Sequence, residues 1–158
     1  MRKKISKIKL GVVFILLINV LGFAGFFYFN NFNQEKELEL EVEEKIKIKR
    51  KIFWVKVADT SKERYQGLSE VSSLRENQGM LFVHPRKGIY NYTMRGMLFD
   101  LDFVFIDNNK IVGIEEEISK DFSGRVNKQI EYDKVLELNA GEVKNSGIEI
   151  GDYVEIES

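Results

Sequence analysis

The chain has 158 residues, of which 44% are hydrophobic and 31% are charged, a mixture that is ordinary for a globular protein. It contains no cysteine and one histidine, which excludes a disulfide framework and an ordinary zinc site. It also lacks the glycine-rich motifs that bind phosphates or dinucleotides. We therefore expect no metal site and no cofactor.

The amino terminus predicts a membrane anchor. Residues 1–9 carry five basic side chains and no acidic one, and the 20 residues from Leu10 to Phe29 (residues 10–29) carry no charge. A helix of that length rises about 30 Å, the thickness of the hydrocarbon core of a bilayer. The basic stub is expected to stay in the cytoplasm, so a single pass places the following domain outside it. The alternative is a secreted protein, released by signal-peptide cleavage near Ala24.

Charge is distributed unevenly along the chain. All 25 acidic residues but only 19 of the 24 basic residues follow Gln34, so the part beyond the predicted anchor is acidic overall. Because nucleic-acid binding depends on basic patches that neutralise phosphate, no nucleic-acid partner is expected. The expected partners are the membrane, through Leu10 to Phe29, and either a protein of the cell envelope or a small polar ligand.

Residues 30–51 are predicted to form a charged spacer or stalk. Acidic residues alternate with apolar ones from Glu37 to Glu41, and lysines do so from Lys45 to Lys49. Alternation with period two is typical of a strand, so the two runs could pair as a hairpin. A charged helical stalk is the alternative.

Residues 52–158 have the pattern of a β-rich domain. A first short helix is predicted after Thr60, with Glu63 completing a capping box and Gly67 at its end. A second helix is predicted to end at Gly147. Short runs rich in strand-forming residues are IFWVKVA, GMLFVHP closed by Pro85, GIYNYTMRGML, LDFVFID, KIVGIEEEIS, KVLELNA and two around the turn in IEIGDYVEIE.

These seven or eight short strands and two short helices predict a mainly β (α+β) fold, built as a compact curled antiparallel sheet or a small barrel. The sequence DNNK at 107–110 is expected to form a turn in which an asparagine takes a positive φ.

An ordered set of short motifs resembles the family known as domain of unknown function 192. The resemblance covers about Phe53 to Ile156 and rests on Ala58-Asp59-Thr60, Arg64, Gly67-Leu68, Leu74, Gly79-Met80-Leu81-Phe82, Met94-Arg95, Leu101-Asp102, Phe105-Ile106-Asp107, VLELNAG and GIEIGDYV. It implies a compact β-rich fold with small helices, behind the predicted anchor. It implies no particular reaction.

One segment departs from the family pattern. Where the family usually has Phe-Trp-Met-Lys-Asn-Thr before Pro-Leu-Asp, this chain has YTMRGM at 92–97 and then Asp100-Leu101-Asp102. Met94 and the cationic Arg95 keep their positions, whereas Gly96, Met97 and Asp100 replace the asparagine, threonine and proline.

Asp100 and Asp102 are two residues apart, so on a strand they would share a face. Neighbours on one strand do not form an acid–base pair across a cleft, which needs carboxylates about 5–10 Å apart on opposite sides. A structural interpretation has Asp102 accept hydrogen bonds from backbone N–H groups or pair with Arg64 or Arg95. The functional interpretation is a pocket for a polar ligand such as a sugar or a carboxylate, lined by the ligand-binding candidates Arg64, Met94, Arg95, Asp102, Glu137 and Asn139.

Other polar or soft residues are given structural roles. His84 is predicted to be a surface or loop residue beside Pro85, and Glu115–Glu117 a solvated turn, because it lacks the residue spacing of a calcium loop. Met80, Met94 and Met97 are predicted to fill gaps in the core.

The sequence favours a membrane-anchored, extracytoplasmic ligand-binding or assembly module of the cell envelope. The alternative is an enzyme that acts on an envelope polymer such as a glycan, with Asp102 and Glu137 facing one another across a groove. A third hypothesis, a structural partner of a membrane protein, predicts an exposed apolar patch on the sheet. No catalytic residue is assigned.

Overall fold

The computed structural model describes residues 42–69, 71–127 and 129–157. Within these ranges the chain forms seven strands and two short helices, as predicted. In chain order they are β1 (Glu44–Ile48), β2 (Lys51–Ala58), α1 (Ser61–Gln66), β3 (Gln78–Gly88), β4 (Leu101–Asp107), β5 (Lys110–Ile118), β6 (Tyr132–Asn139), α2 (Glu142–Ser146) and β7 (Val154–Glu157).

The seven strands form one sheet with the order β5-β4-β6-β3-β2-β1-β7. All neighbours are antiparallel except β2 and β3, which are parallel. The prediction of an antiparallel sheet is therefore wrong for this pair, and the sheet is mixed. The long connection through α1 brings the chain back beside the middle of β2, where Gln78 pairs with Trp54, and such a crossover produces parallel strands.

The sheet curls until its two edge strands meet at one end. Ile111 of β5 donates a backbone hydrogen bond to Asp152 and accepts one from Gly151, both 2.9 Å long, and Val154 donates one of 2.9 Å to Asn109. We call this junction between β5 and the start of β7 the seam. It pairs part of two edges that would otherwise be exposed and gives the sheet the form of a half-barrel.

Both faces of the sheet are covered. The inner cluster lies inside the curl and takes buried side chains from all seven strands and from α2; it comprises Ile46, Ile48, Phe53, Val55, Leu81, Val104, Ile106, Ile111, Leu136, Leu138, Val143, Ile148 and Val154. The outer cluster lies between the other face and the loops around residues 68–74, 90–99 and 126; it comprises Ala58, Leu68, Val71, Leu74, Met80, Phe82, Met94, Leu101, Phe103, Phe105, Val126, Tyr132 and Val135.

The local signals for the helices and one turn are confirmed. Thr60 caps α1 in a capping box with Glu63, and the helix ends at Gly67. Helix α2 ends at Gly147, which has a φ of 62° that favours glycine. Asn108, in the turn between β4 and β5, has a φ of 54°.

Several predicted strand boundaries are wrong. Strand β3 continues through Pro85 to Gly88. A register shift against β6 falls between Val83 and Gly88, so Pro85, which has no backbone N–H, interrupts no hydrogen bond between the two strands. The segment 88–98 forms only the isolated bridge from Tyr92 to Val126. The carboxyl-terminal segment forms one strand, β7, and not two.

Strand β1 lies within the predicted spacer and pairs with both β2 and β7. The sheet therefore begins before residue 52, and the lysine run pairs with β2 and β7. The acidic run from Glu37 to Glu41 lies outside the described residues. The predicted stub 1–9, the anchor from Leu10 to Phe29 and the cleavage near Ala24 also lie outside the described residues. In the ranges given above, no helix is long and apolar enough to cross a membrane.

Candidate functional site

The register of three adjacent strands places Glu137 at the centre of the outer face. Glu137 of β6 lies opposite Met80 of β3 on one side and opposite Phe103 of β4 on the other. Both neighbours belong to the outer cluster. The carboxyl group therefore enters an apolar layer between the sheet and the loops that cover it.

Among the carboxyl groups in the described part of the chain, that of Glu137 has the most strongly shifted pKa. Its residue is 5% exposed, and burial raises the pKa of its carboxyl to about 8 because a charged carboxylate loses its hydration there. Among the described residues, no hydrogen bond to this carboxyl is found. At neutral pH the group is mainly protonated, so it can both donate and accept a hydrogen bond.

Tyr92 lies next to Glu137 in the same layer. Its ring makes edge contacts with Phe82, at a centroid distance of 5.3 Å, and with Phe103, at 6.0 Å. Burial, and then the negative charge of Glu137, raise the pKa of the Tyr92 hydroxyl. This hydroxyl is hydrogen-bonded to Nε2 of His84 over 2.7 Å.

His84 is held on two sides. Its ring stacks on Tyr90 with a centroid distance of 3.6 Å and an angle of 4°, in addition to its bond to Tyr92. Burial lowers the pKa of the imidazole to about 4, with a further contribution from the positive charge of Arg64. His84 is therefore neutral between pH 5 and 8, and it is a hydrogen-bonding group and not a charged one.

Arg64 places a cation at the edge of this layer. Its guanidinium donates hydrogen bonds to the backbone carbonyls of Asp59 and, over 2.9 Å, Val83, and it lies near the Ser61 hydroxyl at 3.5 Å. In the part of the chain that the structure describes, no carboxylate pairs with it. The backbone contacts fix the guanidinium in position and leave its charge available.

We call Arg64, His84, Tyr92 and Glu137 the outer polar site. It combines one fixed cation with three side chains that are neutral near pH 7, inside an aromatic and aliphatic layer. This set can hold a polar ligand through hydrogen bonds and one ionic contact. It contains no serine, cysteine or lysine activated by a base.

The structural interpretation of Asp102 is confirmed. The residue is 0% exposed, and its two carboxylate oxygens accept hydrogen bonds from the backbone N–H groups of Glu117, at 2.7 Å, and Val143, at 2.9 Å. It forms no pair with Arg64 or Arg95. Asp102 thus ties the end of β5 and the first turn of α2 to β4.

Asp102 and Glu137 lie on opposite faces of the sheet. Asp102 pairs with Leu138 and shares its inner face, whereas Glu137 pairs with Phe103 on the outer face. A two-carboxylate mechanism needs both groups to face one groove. The geometry therefore removes the pair on which the glycan-cleaving hypothesis depended.

The other predicted site residues are dispersed. Met94 is 1% exposed and fills the outer cluster, as predicted. Asn139 shares the outer face, but its amide donates hydrogen bonds to the carbonyls of Leu74, at 3.0 Å, and Arg75, so it secures a covering loop. Arg95 is exposed.

Asp100 is also exposed, and its carboxylate accepts a hydrogen bond of 2.7 Å from the backbone of Lys120. Asp100 and Asp102 therefore both bind backbone N–H groups at the end of β5. Neither is arranged for chemistry with the other.

Two sequence predictions about polar residues need correction. His84 is a half-buried strand residue and not a loop residue; its position two residues after Phe82 places it on the outer face, a signal that strand parity could have provided. Tyr92 was not among the candidates from the sequence, because its hydrogen bond to His84 forms only in the folded chain. Glu115–Glu117 belongs to β5 and not to a turn, with a bulge at Glu117, whose φ is 52°.

The sequence profile of domain of unknown function 192, described as an uncharacterized ACR, matches residues 42–156. The chain belongs to this family. No protein among the curated ones matches it.

Two solved structures resemble this member of the family closely. One is a "putative transcription regulator" from Sinorhizobium meliloti 1021, with 27% identity, a TM-score of 0.70, and coverage of 74% of this chain and 96% of the other. The second is a protein of unknown function from Novosphingobium aromaticivorans DSM 12444, with 25% identity, a TM-score of 0.67, and coverage of 70% and 83%.

Proposed function

We propose that the protein is a membrane-anchored, extracytoplasmic ligand-binding module of the cell envelope, and that the outer polar site holds the ligand. The charge and hydropathy of residues 1–29 support the anchor and its orientation. The observation that carries the binding role is the Glu137 carboxyl, which is buried at the centre of the outer face without a hydrogen bond from the described residues.

A largely buried carboxyl without a hydrogen-bond partner destabilises a fold, because it gives up much of its hydration and gains no hydrogen bond in return. An apolar residue of similar size at position 137 would pack against Met80 and Phe103 without that penalty. Glu137 lowers stability in this way and lies close to Tyr92, whose pKa is also shifted, and to the fixed cation of Arg64. Such a combination is typical of a functional site.

The four groups favour a small polar ligand that carries a carboxylate and hydroxyl groups. Arg64 supplies the positive charge for a carboxylate, and Glu137, Tyr92 and His84 supply neutral donors and acceptors for hydroxyls. The ligand reaches them by displacing part of the loops that cover the outer cluster. Among the described residues no second carboxylate faces Glu137, which favours binding over a two-carboxylate hydrolysis.

Ligand-dependent stability of the full chain in detergent tests the proposal. Thermal unfolding is measured with and without a panel of small hydroxy-carboxylates and sugars. A ligand at 100 times its Kd should add about 2.7 kcal/mol, a shift of several degrees for a domain of this size. The shift should disappear in Glu137→Gln and remain in Glu116→Gln, a change of the same kind at an exposed position. A panel in which no compound gives a shift that Glu137→Gln abolishes would refute the role of this site.

The proposed topology has a separate test, which the absence of cysteine makes clean. Tyr65→Cys introduces one thiol at a residue that is 87% exposed, and Ser6→Cys introduces one in the predicted cytoplasmic stub. A maleimide that cannot cross membranes should label intact cells carrying Tyr65→Cys and not those carrying Ser6→Cys. The opposite labelling pattern would invert the proposed orientation.

An assembly role is the second candidate, and one observation favours it. Ile52 and Trp54 lie on the same side of β2 and are 46% and 45% exposed, which makes a small apolar strip. Trp54→Glu should then abolish cross-linking of the chain to a membrane protein in cells and leave Glu137-dependent ligand binding intact. The role of regulator is not transferred from the Sinorhizobium protein, since the chain beyond residue 34 is acidic overall.

A further inference from the structure

A cavity of about 490 Å³ opens at the seam, away from the outer polar site. It is lined by Asp107, Asn108, Asn109, Lys110, Val112, Lys134 and Tyr153. Its volume is in the range of pockets that hold small molecules. Because backbone hydrogen bonds of the seam join the residues on both sides, its walls are fixed with respect to each other.

Tyr153 gives the cavity an aromatic wall. The residue is 69% exposed although its backbone forms the bridge to Lys110. An exposed tyrosine ring offers a flat apolar surface with a polar hydroxyl at its end. Lys110 places its Nζ above this ring, 5.9 Å from the centroid, so that a cation and an aromatic face border the same space.

The charges around the cavity are not balanced. Lys134 is bound to the Asp133 carboxylate and the Asn108 carbonyl, each at 2.9 Å, and Asp107 is paired with Lys87 at 2.7 Å. For Lys110, by contrast, no carboxylate partner exists in the described ranges. The cavity therefore presents one uncompensated positive charge, which favours an anionic group in the ligand.

Two amides complete the set of polar groups. The Asn108 side chain donates a weak hydrogen bond of 3.4 Å to Asp107, which leaves its amide oxygen as an acceptor. The Asn109 side chain, which also lines the cavity, forms no hydrogen bond to the described residues. Amides of this kind bind the vicinal hydroxyl groups of a sugar, since each can donate and accept.

We propose that the seam cavity binds an acidic sugar, a pyranose ring that bears a carboxylate. The apolar face of the ring packs on Tyr153, the carboxylate pairs with Lys110, and the hydroxyls bind Asn108 and Asn109. This combination of an aromatic platform, one cation and two amides matches neither a simple anion, which does not use the ring, nor a neutral sugar, which does not use the charge.

Calorimetric titration of the full chain in detergent tests this assignment with three probes. Methyl glucuronide has the ring and the carboxylate, methyl glucoside has only the ring, and acetate has only the carboxylate. We expect saturable binding of methyl glucuronide in the millimolar range, and binding of the other two at least about tenfold weaker.

Variants identify the groups that act. Tyr153→Ala should weaken methyl glucuronide at least about tenfold, whereas Tyr153→Phe and the distant control Tyr65→Ala should not. Lys110→Gln should make the affinities for methyl glucuronide and methyl glucoside equal. Because Tyr153 and Lys110 are exposed, unchanged thermal unfolding of these variants will show that they fold.

Each other outcome overturns the proposal. No saturable binding of methyl glucuronide up to about 50 mM excludes an acidic-sugar site, and acetate of equal affinity indicates an anion site only. Glu137→Gln should leave this binding intact. If this variant abolishes the binding of methyl glucuronide, the sugar binds at the outer polar site and not in the seam cavity.

Discussion

Replacing Asp102 by asparagine should destabilise the protein strongly, although the two side chains have nearly the same shape. Asp102 is 0% exposed, and each of its oxygens accepts one backbone N–H. One of these groups belongs to Glu117, whose φ of 52° marks the bulge in β5. The other belongs to Val143 in the first turn of α2, where Gly141 at the N-cap has no side chain to provide a cap. Asp102 supplies from a distance the cap that the local sequence lacks.

The expected loss follows from these two hydrogen bonds. A hydrogen bond to a charged acceptor contributes about 1.5–3 kcal/mol, so the pair contributes roughly 3–6 kcal/mol. Asparagine keeps one acceptor oxygen, but its NH₂ group must face the second backbone N–H. We therefore expect Asp102→Asn to lower the free energy of unfolding by about 2–4 kcal/mol and Asp102→Ala by about 3–6 kcal/mol.

Urea denaturation of the full chain at pH 7 measures these losses, with the slope of the transition as a check that both states remain comparable. Asp100→Asn is the matched control, because it removes the same charge from an exposed carboxylate that accepts one backbone hydrogen bond. It should lose less than about 1 kcal/mol. If Asp102→Asn loses no more than this control, the carboxylate of Asp102 does not hold β5 and α2 in place.

Three further predictions concern individual residues. Burial raises the pKa of Glu137 from 4.5 to about 8, so between these two pH values the folded state keeps a proton that the unfolded state releases. Relative to Glu137→Gln, the wild-type protein should therefore lose roughly 3–5 kcal/mol of unfolding free energy as the pH rises from 4.5 to 8. Parallel profiles of stability against pH for the two proteins would contradict this. Gly79→Ala would bring a methyl group within 2.6 Å of the Glu137 carbonyl oxygen. Urea denaturation should therefore show a loss of about 1–3 kcal/mol in the free energy of unfolding. An unchanged transition midpoint would show that the sheet adapts to the methyl group. Thr60→Ala removes the capping box of α1 and should lower the free energy of unfolding by about 0.5–2 kcal/mol. Ser61→Ala, at the position after the cap, should lower it by less. Equal losses in the two variants would exclude the cap as the cause.

Local signals in the sequence were sufficient for the elements that are stabilised by their own residues. The capping box of α1 and the stop of α2 at Gly147 depend on hydrogen bonds within a few residues, so their positions could be predicted. Alternation of apolar residues also predicted most strands and the shared face of Glu137 and Asn139. The family could be recognised for the same reason, because its motifs are short and keep their order.

The strand order could not be predicted in this way. The parallel pairing of β2 with β3 and the seam between β5 and β7 bring together residues that are far apart in the chain. Such pairing depends on how the whole sheet buries its two faces, and no local pattern specifies it. Pro85 illustrates the limit, since it ends a strand by its local preference yet lies inside β3, where the register shift requires no N–H from it.

The candidate sites show the same division. The sequence alone identified Arg64 and Glu137 as candidates, and it gave Asp102 a structural interpretation that the backbone hydrogen bonds confirm. Only the tertiary structure placed Asp102 and Glu137 on opposite faces, moved His84 from the surface to a half-buried position beside Tyr92, and left Glu137 without a partner among the described residues. The physical reason is that a side chain's burial and charge depend on neighbours from other strands, and the sheet alone decides which neighbours it receives.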